Sequence, residues 1–216
     1  VVPGVVIVDY GRGNLWSVGH AVAAVGGAPR LAEDPAVVRA AERLILPGVG
    51  AFGDAMAGLR ARGLDEAVRA FAATGRPLLG VCLGMQLLLE TSTEFGEHEG
   101  LGLVAGRVDR LPEPLPGGRD RYKIPNVGWC RLDPAPGGRP WGDSLFAAVK
   151  PGDFAYFAHS FAAHPADPRQ RLVDIDLGGT RVAAAISAGP ITGCQFHPEK
   201  SGEVGLAILR AFVART

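Results

Sequence analysis

The residues best placed to do chemistry begin in Gly80-Val81-Cys82-Leu83-Gly84-Met85-Gln86. An apolar strand-like run ends at Cys82, and a helix-like run opens at Gly84. The glycines let the chain turn sharply and approach neighbouring backbone. A thiol at a strand-to-helix turn is exposed above a sheet at a helix N-terminus, where the dipole favours thiolate. The amide N–H of Leu83 would face the place where an oxyanion forms. The plainer alternative is a buried core cysteine beside a capping glycine, since free Cys is among the most buried residue types. On this segment alone the two readings balance.

A base lies near the other end, in Gln195-Phe196-His197-Pro198-Glu199-Lys200-Ser201. Pro198 disfavours helix at His197 and keeps it extended. Positions i and i+2 of an extended chain project to the same side. Glu199 can then hold the His197 ring in one tautomer, and Cys82, His197 and Glu199 supply nucleophile, base and orienter. His20, His98 and His164 have no such company, and Cys130 and Cys194 lack an elbow context. No His/Cys cluster has zinc spacing, so no metal or other cofactor is expected.

A third segment, Leu46-Pro47-Gly48-Val49-Gly50-Ala51-Phe52-Gly53, follows another strand-like run. Its glycines expose backbone amides, and Val49 or Gly50 can give a second oxyanion donor. Taken alone it reads more simply as a strand-to-helix turn. It lacks the Lys-Ser/Thr ending of a phosphate-binding loop, which argues against a nucleotide site.

These segments need strands and helices to carry them. Val5 to Asp9, Arg43 to Leu46 and Pro77 to Cys82 read as buried strands. Leu15 to Val25, Asp54 to Thr74 (with breaks at Gly58 and Gly63) and Gly84 to Thr91 read as helices. Alternation of this kind predicts a mostly parallel α/β sheet flanked by helices, with the site at the carboxyl ends of its strands. Prolines and glycines are dense from Gly106 to Lys150. Leu103–Arg110, Leu172–Asp176, Thr180–Ile186 and Ile191–Gln195 read as an additional antiparallel β portion. Gly178-Gly179 forms a hairpin turn and Glu203 to Val213 a closing helix. No linker or repeat interrupts the chain, so residues 1–216 are expected to form one domain.

The chain has 22 basic and 22 acidic residues and no basic stripe, which argues against nucleic acid as a partner. Three cysteines without framework spacing fit free thiols in a reducing compartment. The run Val5-Val6-Ile7-Val8 has no basic residues before it and reads as a strand rather than a leader. No apolar stretch is long enough to span a bilayer. A cytoplasmic protein is expected.

Together, over nearly the whole chain and in the same order, these segments resemble the class I (triad) glutamine amidotransferases. Further segments narrow the likeness. Gly13-Asn14-Leu15, Pro47 to Gly53, Gly128-Trp129, Phe157-Ala158-His159-Ser160 and Gln195 to Ser201 are similar to the glutaminase subunits of imidazole glycerol phosphate synthases, which act in histidine biosynthesis. The resemblance implies a Cys82–His197–Glu199 triad, with Val49 and Leu83 at the oxyanion. It implies that Gly50, Gln86, Glu94, Ser160 and Phe161 hold L-glutamine. Asn14, Trp129, Tyr156 and Lys200 would face a synthase/cyclase (βα)-barrel subunit that receives the ammonia in a heterodimer. The bland readings remain beside these: Glu94 as a solvated loop carboxylate, Trp129 as a core aromatic.

The sequence departs from the family pattern where Asn126 stands for His, Cys130 for Asn and Phe161 for Tyr. Three rivals stay open. Another synthase, making anthranilate, pyridoxal phosphate or guanine nucleotides, is disfavoured by Lys200-Ser201 and the Val49 loop. A partnerless Cys hydrolase of the same fold is disfavoured by the glutamine-side residues. A catalytically dead homologue is disfavoured by the intact triad.

Overall fold

The computed structural model describes residues 2–113 and 122–215. The N-terminal part alternates as the apolar runs predict. β1 (Gly4–Val8) leads to α1 (Leu15–Ala24), then β2 (Ala28–Ala32), α2 (Pro35–Ala40) and β3 (Leu44–Gly48). α3 (Phe52–Ala61), α4 (Leu64–Ala72), β4 (Leu78–Cys82) and α5 (Leu83–Leu87) follow. β1, β3 and β4 are almost wholly buried, and β1 pairs in parallel with β2 and β3, and β3 with β4. A strand covered on both faces reads as a continuous apolar run, which is why these were legible.

The remaining strands are β5 (Leu89–Ser92), β6 (His98–Glu99), β7 (Val104–Arg110), β8 (Asn126–Arg131), β9 (Asp133–Pro134), β10 (Phe154–His159), β11 (Phe161–Pro165), β12 (Arg171–Leu177), β13 (Thr180–Ala188) and β14 (Ile191–Cys194); α6 (Gly202–Ala214) closes the chain. The main sheet runs β2-β1-β3-β4-β14-β13-β12-β9. β14 pairs in parallel with β4, while β13 and β12 complete it antiparallel, as the C-terminal pattern predicts. Two smaller sheets, β11-β7-β5-β6 and β10-β8, sit beside it.

Two helix expectations are corrected. The helix expected over Gly84–Thr91 stops at Leu87, and Leu89–Ser92 is a strand paired in parallel with β7. The backbone carbonyls of Leu87, Leu88 and Leu89 accept from the N–H groups of Leu101, Leu103 and Gly102. A buried run of leucines has no periodicity to separate helix from strand, so this tertiary pairing decides. Gly58 does not break its helix either. α3 runs through it, whereas Gly63, left-handed at φ 63°, separates α3 from α4. β2, α2, β8, β10 and β11 were not anticipated; β2 is largely exposed and carries a proline, so it lacks the apolar signal. Among the described residues no helix is long and apolar enough to cross a membrane.

Candidate active site

The elbow at Cys82 is held by contacts that only glycine permits. Cys82 takes φ 56°, ψ −114°, a positive-φ conformation that non-glycine residues adopt at a cost of about 1–3 kcal/mol. A Cβ on Gly84 would lie 1.8 Å from the Leu46 carbonyl oxygen, and one on Gly80 2.8 Å from that of Gly84. The backbone of α5 therefore lies directly against β3. In the β3–β4 register Gly48 is opposite Cys82, so the glycine loop starts beside the thiol. Tyr10, buried beneath, donates its hydroxyl to the Pro47 carbonyl at 3.0 Å, and a Cβ on Gly48 would meet that hydroxyl at 2.6 Å. Tyr10 thus pins the first peptide of the loop. Burial, then the charge at Cys82, pushes its phenol well above the ordinary range.

His197 arrives on a separate support. It is extended (φ −96°, ψ 99°), as Pro198 predicts. Its N–H donates to the Tyr156 carbonyl at 3.0 Å. Ser201 Oγ donates to the His197 carbonyl at 2.7 Å and accepts from the Tyr156 N–H at 3.0 Å. Phe196, next in chain, is buried edge-to-face against Phe157 and Phe146. A Cβ on Gly205 would sit 1.9 Å from the Pro198 carbonyl oxygen, so α6 packs flush against the turn.

His197 Nδ1 lies 2.8 Å from Glu199 Oε1, the i,i+2 contact expected of the extended chain. Burial alone would lower the His197 pKa. Side-chain hydrogen bonds to Cys82 and Glu199, with the charges of both, outweigh it and raise the value to about 9. The imidazole is a strong base between a sulfur and a carboxylate. The other thiols differ: burial, then the Glu199 charge, pushes the Cys194 thiol far up, and burial raises that of Cys130 against a lowering contact from Asn126.

A cavity of about 360 Å³ opens over Cys82. Asn14, Val49, Gly50, Leu83, Gln86 and Glu94 line it, with Ser160, Phe161, His197 and Lys200 opposite. Of the residues expected at the site or its rim, Trp129, Tyr156 and Glu199 are not in this lining. Glu199 stands behind His197. Trp129 is 55% exposed and meets Tyr156 edge-on at 6.1 Å; Lys200 lies over the Tyr156 ring. The reading of Trp129 as core is therefore corrected to surface. Glu94 is half-buried and accepts from the Phe52 N–H at 2.7 Å, so it is fixed at the start of α3 rather than merely solvated.

Sequence reasoning assigned no role to Tyr10, His159 or Gln195, all buried at the site. Gln195 Nε2 lies 3.9 Å from Cys82 Sγ. His159 and Gln195 fall within motifs already conspicuous by their resemblance, but their partners are 33 and 113 residues away and left no local signal.

The arrangement places a thiol, an imidazole and a carboxylate in series, with the thiol and the imidazole lining the cavity beside the glycine-rich loop. It can attack a carbonyl carbon covalently and protonate the leaving group.

A family model described as glutamine amidotransferase class-I matches residues 6–216. The chain is 45% identical over 207 residues to imidazole glycerol phosphate synthase subunit HisH 1 of Legionella pneumophila (strain Lens), covering 96% of this chain and 97% of that one. It is 47% identical over 205 residues to the subunit HisH of Symbiobacterium thermophilum, covering 95% and 91%. Among solved structures it is similar to PurLQS from Thermotoga maritima, with TM-score 0.71, 22% identity and 98% of both chains covered. Another, described as a glutamine amidotransferase, has TM-score 0.67, 18% identity and coverage of 93% and 94%. At those identities the structures speak for the fold alone.

Proposed function

The chain belongs to the class I glutamine amidotransferase family, and from that premise we propose that it is the glutaminase subunit of an imidazole glycerol phosphate synthase in histidine biosynthesis, acting as one domain. The observation that carries the chemistry is His197, which shares the cavity with Cys82 and has Nδ1 2.8 Å from Glu199 Oε1. The near full-length relatives named as synthase subunits carry the narrower assignment.

Cys82 thiolate adds to the side-chain amide carbon of L-glutamine, and the carbonyl π electrons move to oxygen. Leu83, at the start of α5 where backbone N–H groups have no intrahelical acceptor, and the Val49 loop receive that oxyanion. His197 protonates the departing nitrogen, and ammonia leaves behind a glutamyl thioester. Water, deprotonated by His197, adds to the thioester carbon, and the C–S bond breaks to release glutamate and restore the thiolate. Glu199 keeps the ring in one tautomer. Gly50, Gln86, Glu94, Ser160 and Phe161 surround the glutamine. No metal or cofactor enters this scheme.

The partner in this reading is a (βα)-barrel cyclase subunit that takes up the ammonia. Asn14, Trp129, Tyr156 and Lys200 form the face toward it. Asn14 and Lys200 also line the cavity, so a partner seated there would close the mouth through which ammonia leaves. Shielding matters because ammonia released into bulk water is protonated and lost as a nucleophile.

The test is glutamate release from L-glutamine by the purified chain, alone and with its barrel partner plus the partner's nucleotide-like ligand. Turnover is expected to be low alone. It should rise about 10²–10³-fold in the complex, the worth of one oxyanion donor brought into place in the glycine-rich Val49 loop. No glutamate under either condition overturns the glutaminase reading. Full activity alone overturns only the dependence on the partner.

A further inference from the structure

His159 ends β10, and in the β8–β10 register it stands opposite Asn126. Both are buried. The ring makes two contacts that between them dictate its state. Nδ1 is 2.8 Å from the Phe161 carbonyl oxygen, which can only accept, so Nδ1 carries the proton. Nε2 is 3.0 Å from Asn126 Nδ2 and accepts there. Only the neutral Nδ1–H tautomer satisfies both neighbours. Burial agrees, lowering the pKa to about 4 against the raising contact with Phe161, with a further lowering from His197 nearby.

The Phe161 carbonyl has a second donor, Gln86 Nε2 at 3.1 Å. The same nitrogen donates to Gln195 Oε1 at 2.9 Å. Gln195 is fully buried, and with its oxygen committed to Gln86 its Nε2 is turned to Cys82 Sγ, at 3.9 Å. Each amide in the series is oriented by the one before. Were the Gln86–Gln195 pair to reverse, an amide oxygen would face the sulfur and repel a thiolate.

We infer that His159, held neutral by Asn126, is a positioning residue for the nucleophile: it fixes the Phe161 carbonyl, which orients the Gln86–Gln195 amide pair so that a donor rather than an acceptor faces Cys82. The group that touches the reacting atom is Gln195; His159 and Asn126 act through it. This deepens the glutaminase reading and rests on Cys82 being its nucleophile. The relay begins on β8, whose Trp129 is exposed on the proposed partner face. A shift of that strand would reach Cys82 by this route. The other titratable and charged groups around Cys82 are His197, with the Glu199 carboxylate behind it, and Tyr10, which Arg12 approaches in turn.

The experiment is the pH dependence of Cys82 alkylation by iodoacetamide in the full chain, read site by site by mass spectrometry so that Cys130 does not contribute. In His159→Leu the acid limb of the profile should move up by about one pH unit, the scale of a weakened hydrogen bond to a charged group. His159→Gln, which can still donate to Phe161, should recover part of it. Gln195→Leu should shift the limb similarly, and His159→Leu added to Gln195→Leu should shift it no further. Should His159→Leu not fold, Asn126→Leu takes its place, removing the donor to Nε2. An unmoved limb in the folded variants, or shifts that simply add in the double variant, overturns the relay. Alkylation needs no glutamine. A wild-type chain with the expected profiles but no glutamate release, alone or with its barrel partner and ligand, would sink the glutaminase reading and leave the relay standing.

Discussion

At the scale of single residues, what separates Cys82 from the other two cysteines is its place in the cavity beside His197. Cys82 and Cys194 are both buried, yet only Cys82 lines the cavity with His197. At Cys194 burial, then the charge of Glu199, opposes thiolate. A glutamine-analogue diazo-ketone is expected to label Cys82 and neither Cys130 nor Cys194. His197→Ala should lower turnover in the complex by about 10²–10⁴-fold, the contribution of a general base. Glu199→Ala should cost less by about one to two orders of magnitude, because it orients the ring without moving the proton. Wild-type turnover in His197→Ala would rule out the triad.

At the scale of elements, the glycines divide into those that backbone contact requires and those it does not. Gly48, Gly80 and Gly84 let β3, β4 and α5 touch, and a methyl at Gly84 would overlap the Leu46 carbonyl. Gly58 is different. It lies inside α3, and an added Cβ would meet Tyr10 at 3.4–3.5 Å, ordinary contact distance. Gly58→Ala should therefore stabilise the protein by about 0.5–1 kcal/mol, from helix propensity and a less flexible unfolded chain. Thermal melts check this; a lowered melting temperature would show that the contact with Tyr10 is tighter than a methyl allows.

At the scale of the whole molecule, two buried histidines tilt stability in opposite directions. The His197 pKa is raised from 6.5 to about 9, because its bonds to Cys82 and Glu199 outweigh burial. Its contribution is fully present below pH 6.5 and is lost as pH climbs through 9. The His159 pKa is lowered from 6.5 to about 4, chiefly by burial. Its contribution is present above pH 6.5 and disappears as pH falls through 4, a loss of on the order of 3 kcal/mol. From these two groups stability should peak near pH 6.5. Melting curves across pH should show the acid-side slope flattened in His159→Leu and the alkaline-side slope flattened in His197→Ala. Parallel curves for wild type and both variants would contradict the assignment.

The sequence by itself determined the buried parallel strands β1, β3 and β4 and the order of the chemical segments. Buried strands announce themselves as apolar runs such as Val5–Val8, and Gly80-Val81-Cys82-Leu83-Gly84 marks a turn that few other residues could make. Pro198 and the i,i+2 spacing likewise made the His197–Glu199 contact readable, since both are local backbone properties. Tertiary structure alone decided that Leu89–Ser92 is a strand, because the groups that satisfy the neighbouring backbone come from residues 101–108. It alone turned Trp129 outward, and it alone joined Asn126, His159, Gln86 and Gln195 into one series ending at Cys82. Hydrogen bonds between side chains separated by 33 to 113 residues depend on sheet register and on which strands become neighbours. No periodicity or spacing along the chain encodes that.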